Sequence, residues 1–233
     1  MTQTYLKITG DIHGKVDRYS QSVRNNTQYS LQIGDLGFNY NGLSGLDPAK
    51  HKFFGGNHDN YDVYYDSPHS LGDYGMIRSL DLPFYFIRGA FSIDVDGRIQ
   101  AELRSGKKSW WKEETLPLDV MYKVYDDYKK VHPKVVITHT CPTSIARIIG
   151  NGNVLRVYGY NPDTFTDPTS ELLQQCLEAY PPKVWIFGHF HQTFIKTIGD
   201  TLFICLNIGE SLSVNQDGTF NHRNVKGTLN YYD

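Results

Sequence analysis

The chain has 233 residues, of which 39% are hydrophobic and 14% aromatic, so it can bury a core and is not a long disordered segment. Its formal net charge of −2 argues against the basic surface of general nucleic-acid-binding proteins, and no apolar run approaches the ~20 residues of a membrane span. Three widely spaced cysteines argue against a disulfide framework. Because a first strand at residues 4–9 leaves no room for a cleavable signal peptide, we expect a cytoplasmic protein.

Short apolar runs that end at turn signals predict five buried strands. They lie at residues 4–9, 29–33, 51–54, 135–137 and 184–187. Apolar residues at helical spacing, with suitable end signals, predict three helices. They lie at residues 15–26, 118–131 and 170–180, the last closed by Pro181-Pro182.

Other segments predict antiparallel strands and one long loop. Residues 83–87 and 90–95, followed by Asp96-Gly97, predict a β-hairpin. Residues 193–198, 201–208 and 211–214 predict a second run of strands, whereas residues 151–169, rich in Gly, Asn, Pro and Thr, predict a loop. Strand–helix units mixed with meanders indicate an α/β protein of two packed sheets flanked by helices. We expect one domain over residues 1–233.

Clusters of Asp, His and Asn follow the ends of the five buried strands. They are Asp11-Ile12-His13-Gly14, Gly34-Asp35, Gly55-Gly56-Asn57-His58-Asp59, His139 and Gly188-His189-Phe190-His191. These side chains are good ligands for divalent metals, and residues i and i+2 of an extended backbone point the same way. The strand ends of open α/β sheets are also where such proteins place their sites. The clusters supply enough ligands for two ions and predict a two-metal hydrolase.

The order and spacing of these clusters resemble the calcineurin-like metallophosphoesterase superfamily, in its bacterial or phage-type members, over residues 11–191. The resemblance implies a four-layer α/β/β/α sandwich with two mixed sheets. It also implies two divalent metal ions, with Mn foremost and Fe, Zn, Ni or Co as alternatives. The implied ligands are Asp11, His13 and His191 for one ion, Asn57, His139 and His189 for the other, and Asp35 as the bridge.

The resemblance further implies the reaction. A hydroxide activated by the two ions would attack a phosphomonoester or phosphodiester, and His58 would protonate the leaving group as general acid. Asn57 and His58 would also contact the substrate. Two alternatives stay open: a catalytically inactive interaction scaffold on the same fold, and a Ser/Thr phosphoprotein phosphatase. Because scaffolds usually lose ligands and all seven are filled here, we favour the enzyme. No membrane partner is expected, and the oligomeric state stays open.

One departure from the phosphoprotein-phosphatase branch is informative. In that branch the second cluster continues with an Asp that orients the acid histidine and an Arg that grips phosphate. Phe38 and Asn39 stand at those positions here, which weakens that assignment. Either Asp59 orients His58, and is then a catalytic residue, or His58 is less well held. The candidates for gripping phosphate are Arg88, Arg98 and Arg147.

The segment Ser109-Trp110-Trp111-Lys112-Glu113-Glu114 resembles a run found in some bacterial and phage-encoded members of the superfamily. The two indoles could form an aromatic wall over the substrate cleft, suited to stacking a planar group. They could instead pack onto the core at the start of a helix, with the two glutamates in its first turn. We favour packing onto the core.

Overall fold

The structure, a computed structural model, describes residues 4–77 and 83–229. Its strands are β1 (Thr4–Thr9), β2 (Thr27–Ile33), β3 (His51–Phe54), β4 (Tyr74–Ile77), β5 (Phe84–Ile87), β6 (Val135–Thr138), β7 (Val184–Phe187), β8 (Phe194–Ile198), β9 (Thr201–Cys205), β10 (Ser211–Val214), β11 (Thr219–His222) and β12 (Val225–Thr228). Its α-helices are α1 (Val16–Arg24), α2 (Val95–Ser105), α3 (Leu118–Val131), α4 (Thr143–Ile149), α5 (Gly152–Val157) and α6 (Pro168–Ala179). None of these helices combines the length and the apolar character that a membrane crossing needs.

The strands form two mixed sheets of six strands each. The first has the order β12-β11-β10-β1-β2-β3, in which β1, β2 and β3 run parallel and β10 pairs antiparallel with β1. The second has the order β4-β5-β6-β7-β9-β8, in which β5, β6, β7 and β9 run parallel. In the first sheet the parallel strands form one half, with β3 at the edge, whereas in the second they form the centre, with antiparallel strands at both edges.

The two sheets pack face to face and helices cover their outer faces. Ile8 of the first sheet and Ile137 of the second belong to the central core between the sheets. Val23 of α1 packs in a separate core on the outer face of the first sheet. Val124 of α3 and Leu173 of α6 pack on the outer face of the second. The predicted α/β/β/α sandwich with two mixed sheets is confirmed.

The predicted hairpin at residues 83–95 is wrong. Strand β5 is present, but residues 90–94 form no strand and α2 begins at Val95. Arg98 of α2 is buried, and its Nη1 donates to the carbonyl of Asn57, in a distant loop, at 2.9 Å. This contact holds α2 in place although Gly97, in its first turn, is a poor helix former. Tertiary contacts thus override the turn preference of Asp96-Gly97.

The predicted loop at residues 151–169 also needs correction. It contains α5 and the first two residues of α6, and the preceding α4 was not predicted. Helix α5 is six residues long, which is too short for an apolar period to be detected in its sequence. Strands β4, β11 and β12 were missed as well, because each has four residues and mixed polarity.

The parallel strands bring the polar clusters to one edge of the sandwich. Strands β1, β2 and β3 of one sheet, and β6 and β7 of the other, each end just before a cluster. Backbone hydrogen bonds then join the clusters directly. The N–H of His13 donates to the carbonyl of Asp35 at 3.0 Å, and the N–H of Gly188 donates to the carbonyl of His139 at 2.9 Å.

Candidate metal centre

Four of the predicted ligands lie on strained backbone. Among the described residues, five other than glycine have positive φ, and four of these are His13 (44°), Asp35 (56°), His189 (67°) and His191 (52°). A left-handed conformation costs a non-glycine residue of the order of 1–3 kcal/mol and persists only where the surrounding structure imposes it. Such strain is concentrated at functional sites, and here it falls on the turns that direct these side chains.

One group of predicted ligands surrounds the end of β1. One ligand atom from each of Asp11, His13, Asp35 and His191 lies within 4.8 Å of the others. Nε2 of His191 lies 3.1 Å from Oδ2 of Asp11 and 2.9 Å from Nε2 of His13. Nitrogen and oxygen ligands this close together match the coordination sphere of one divalent ion.

A second group adjoins the first through Asp35. Oδ1 of Asn57 lies 3.2 Å from Nε2 of His139 and 3.0 Å from Nδ1 of His189. Nε2 of His139 lies 3.2 Å from Oδ1 of Asp35. The other oxygen of that carboxylate, Oδ2, lies 3.8 Å from Nε2 of His13 in the first group. The structure therefore brings all seven predicted ligands together, with Asp35 between the two groups.

The donor atoms fit a pair of cations. Oδ2 of Asp11 and Oδ2 of Asp35 are buried and accept no hydrogen bond from the described residues. Burying a carboxylate oxygen in this way is costly unless a positive charge faces it. Nδ1 of His139 must donate to the carbonyl of Ile33, 2.9 Å away, because a carbonyl can only accept. That contact leaves Nε2 of a neutral imidazole as a ligand atom, as in most metal-bound histidines.

The side chains of the centre also shift one another's pKa values. Burial disfavours the imidazolium of His139, but the adjacent Asp35 carboxylate outweighs burial and raises the pKa of His139 to about 10. Burial also disfavours the ionised form of Asp35, yet His139 holds the pKa of that carboxyl well below its usual range. Burial lowers the pKa of His189 to about 3. Because a ligand nitrogen must be free of its proton, His139 would have to lose that proton to hold a metal.

Two glycines allow the ligands to approach the backbone closely. A Cβ atom on Gly56 would collide with Oδ1 of Asp35 and Nε2 of His139. A Cβ atom on Gly188 would collide with Oδ1 of Asp11. Only glycine leaves these oxygen and nitrogen atoms in place, which explains why a glycine stands beside these ligands.

His58 lies at the edge of the centre. Its ring centroid is 5.1 Å from that of His13, and its backbone N–H donates to Oδ1 of Asp35 at 2.7 Å. Nη2 of Arg98 lies 2.6 Å from its Nε2 and 3.1 Å from its Nδ1. Burial, with the charge of Arg98, outweighs the nearby Asp35 carboxylate and lowers the pKa of His58 to about 4.

The expectation that Asp59 orients His58 needs correction. Oδ2 of Asp59 accepts the backbone N–H groups of Gly56 at 2.7 Å and Asp35 at 2.9 Å. Its Oδ1 accepts the backbone N–H of Gly37 at 3.2 Å. The carboxylate lies beneath the turns rather than beside the imidazole, because these amides are its partners. Asp59 joins the two loops that carry Asp35 and Asn57.

Of the three candidate arginines, Arg88 makes its hydrogen bonds to residues outside the metal centre. Its guanidinium is fully buried and donates to Oδ1 of Asp73 at 2.7 Å, the hydroxyl of Tyr65 at 2.6 Å and the carbonyl of Glu113 at 2.5 Å. No free donor is directed at the centre, so these contacts do not support its predicted role in substrate binding. Arg98 contacts His58, and Arg147 lines a cleft beside the centre.

Polar residues behind Asn57 were missed in the sequence. Oγ of Ser92 accepts from Nδ2 of Asn57 at 3.1 Å and donates to Oε2 of Glu114 at 3.0 Å. Burial raises the pKa of Glu114 to about 7. Trp111 is buried in the outer core beside α1, as favoured above. The sequence signal that could have indicated Glu114 is the Trp-Trp-x-Glu-Glu run, which ends at this residue.

Comparison with known proteins gives one family match and distant structural relatives. A family model for calcineurin-like phosphoesterases matches residues 5–193. Among solved structures, a predicted phosphoesterase from Streptococcus pneumoniae is 12% identical, with a TM-score of 0.40 over 99% of this chain and 92% of that one. Phosphopantetheinyl hydrolase from Mycobacterium tuberculosis is 12% identical, with a TM-score of 0.45 over 88% of this chain and 90% of that one. No curated protein matches the chain. The match to the family model covers most of the sequence, so the chain belongs to the calcineurin-like phosphoesterases, metal-dependent hydrolases that act on ester bonds.

Proposed function

We propose that this protein hydrolyses phosphomonoesters or phosphodiesters with two divalent ions, Mn foremost, and with His58 as general acid. The observation that supports the proposal is the convergence of seven ligand side chains, with one oxygen of Asp35 facing each group. Each group would hold one ion. The ligands would be Asp11, His13 and His191 for the first, Asn57, His139 and His189 for the second, and Asp35 for both.

When bound, such a pair of ions supplies a hydroxide near neutral pH and positive charge for the phosphoryl oxygens. His58 lies beside the ligands, where its ring would give a proton to the departing oxygen of the substrate. The negative charge of a bound phosphate favours the imidazolium form and so opposes the effects of burial and of Arg98 on the His58 pKa. Asp59 holds the surrounding loops in register, which keeps the reacting groups in place.

The two alternatives receive less support from the contacts. An inactive scaffold would not need to keep two buried carboxylate oxygens without hydrogen-bond donors, at Asp11 and Asp35. A phosphoprotein phosphatase would use the positions of Phe38 and Asn39 for catalysis. Here the ring of Phe38 packs against Trp111 with centroids 5.4 Å apart, and Oδ1 of Asn39 accepts the N–H of Asn41 at 2.9 Å.

We also propose a cytoplasmic location. Cys141, Cys176 and Cys205 are all buried and free. Unpaired cysteines are expected in a reducing compartment, where disulfides rarely form.

Chelation tests the proposed function. We expect exhaustive treatment with a strong chelator to abolish hydrolysis of nitrophenyl phosphate and bis-nitrophenyl phosphate. Mn, Co or Ni should restore it and Ca should not, because nitrogen ligands favour transition metals whereas Ca prefers more oxygens at longer distances. The rates on the two substrates also separate monoester from diester preference. Full activity in protein shown by metal analysis to be metal-free would rule the proposal out.

A further inference from the structure

A deep cleft of about 830 Å³ opens beside the metal centre. Asp35, Asn57, His58, His189 and His191 form one end of its lining. The cleft then extends along the segment that follows α4, past α5, to the start of α6. A phosphoester with its phosphoryl group at the metal centre would therefore have room for a large group in this direction.

The walls away from the ligands are apolar and partly aromatic. Leu155 of α5 lines the cleft together with Phe91, Phe165 and Phe190. The ring of Phe91 lies 5.9 Å from that of Phe165, and the ring of Phe190 lies 5.1 Å from that of the candidate ligand His189. These rings are flat, half-buried surfaces that would contact a planar or bulky apolar group.

Besides one candidate ligand, four charged side chains line the cleft: Asp94, Asp163, Asp167 and Arg147. Asp94 is bonded to Arg98, and both oxygens of Asp167 accept hydrogen bonds within the first turn of α6. Arg147 is the only Lys or Arg side chain among the described residues that line the cleft. A chain of further phosphates would need more positive charge than one arginine supplies.

We propose that this cleft binds the leaving group of the substrate, and that this group is uncharged and carries a ring. The proposal rests on the proposed function, because it is the metal centre that would hold the phosphoryl end. It adds a substrate class: phosphoesters of ring-bearing alcohols, in preference to small alkyl phosphates or polyanions.

The test compares phenyl phosphate with 2-naphthyl phosphate on Mn-loaded protein. Their leaving groups have similar acidity, so a difference in kcat/KM reports contact with the extra ring rather than ease of departure. We expect kcat/KM to be higher for the naphthyl ester by about tenfold or more, since several additional carbon atoms would be buried. A parallel thermal-shift measurement with 2-naphthyl phosphate reports binding without turnover.

Two aspartate substitutions on α5 form a matched pair. Leu155→Asp places a charge in the cleft wall, whereas Val157→Asp places it on a residue that is 81% exposed and outside the lining. We expect the preference for the naphthyl ester to be lost in Leu155→Asp and kept in Val157→Asp. Phe165→Ala removes an aromatic ring from the wall without adding a charge and should reduce the preference. The leaving-group proposal is overturned if the unaltered protein does not prefer the naphthyl ester, or if Leu155→Asp keeps that preference unchanged. If neither ester is hydrolysed but 2-naphthyl phosphate raises the Tm of the unaltered protein and not of Leu155→Asp, the cleft assignment stands and the proposed function fails.

Discussion

Replacing Asp35 by Asn should abolish most of the hydrolysis. Asp35 is the carboxylate between the two ligand groups, and its Oδ2 is buried without a hydrogen-bond donor among the described residues. Neutralising it removes the charge that would face both cations and weakens their hold. The loss of several kcal/mol of transition-state stabilisation corresponds to a fall in kcat/KM on the order of 10³-fold. Steady-state kinetics and metal analysis of the same preparation measure both effects.

Asparagine has nearly the same shape as aspartate, so we expect the variant to fold, and a loss of activity would then report on the metal centre rather than on folding. Oδ1 of an asparagine can still accept the N–H of His58, which Asp35 accepts at 2.7 Å. Asp126→Asn, on the exposed face of α3, is the control for a carboxylate-to-amide change and should retain activity and metal. Asp35→Asn protein that turns over substrate at the unaltered rate would contradict the bridging role.

Replacing His58 by Ala should separate chemistry from metal binding. His58 is not among the seven ligands, so both ions should stay bound. A general acid contributes about 10²–10⁴-fold to departure of a basic alkoxide and much less to that of nitrophenolate. We therefore expect a large fall in kcat on alkyl phosphates and a small one on nitrophenyl phosphate.

His58→Gln distinguishes proton donation from simple contact. Glutamine can donate a hydrogen bond to the phosphoryl group but cannot transfer a proton, so it should resemble alanine on alkyl esters. Equal losses on alkyl and nitrophenyl esters in His58→Ala, or recovery of alkyl ester hydrolysis in His58→Gln, would show that His58 holds the phosphoryl group instead.

The two packed sheets and the convergence of the polar clusters could be predicted from the sequence because they depend on local signals, whereas the four-layer arrangement and the ligands of each ion were implied by the family resemblance. A buried strand followed by a glycine and a polar cluster is visible at Asp11, Asp35 and Asn57, and parallel strands bring such ends together. The ligand spacing His-x-His at His189 and His191 is equally local. These features need no knowledge of distant contacts.

The supporting contacts could not be predicted because they join distant segments. Asp59 follows His58 directly, yet its oxygens bind the N–H groups of Gly56, Asp35 and Gly37. Arg98 is 40 positions from His58, and its helix was mistaken for a hairpin because Asp96-Gly97 is a common turn. Tertiary contacts decide the structure at these positions, where local preference alone is misleading.

Titration of metal-free protein with Mn tests the central claim most directly, when bound metal and activity are followed together. Two groups of ligands sharing Asp35 predict two Mn per chain, with activity reaching its maximum only as the second equivalent binds. Asp35→Asn should bind fewer. A single equivalent that gives full activity, or activity that is complete before any metal binds, would contradict a two-metal centre.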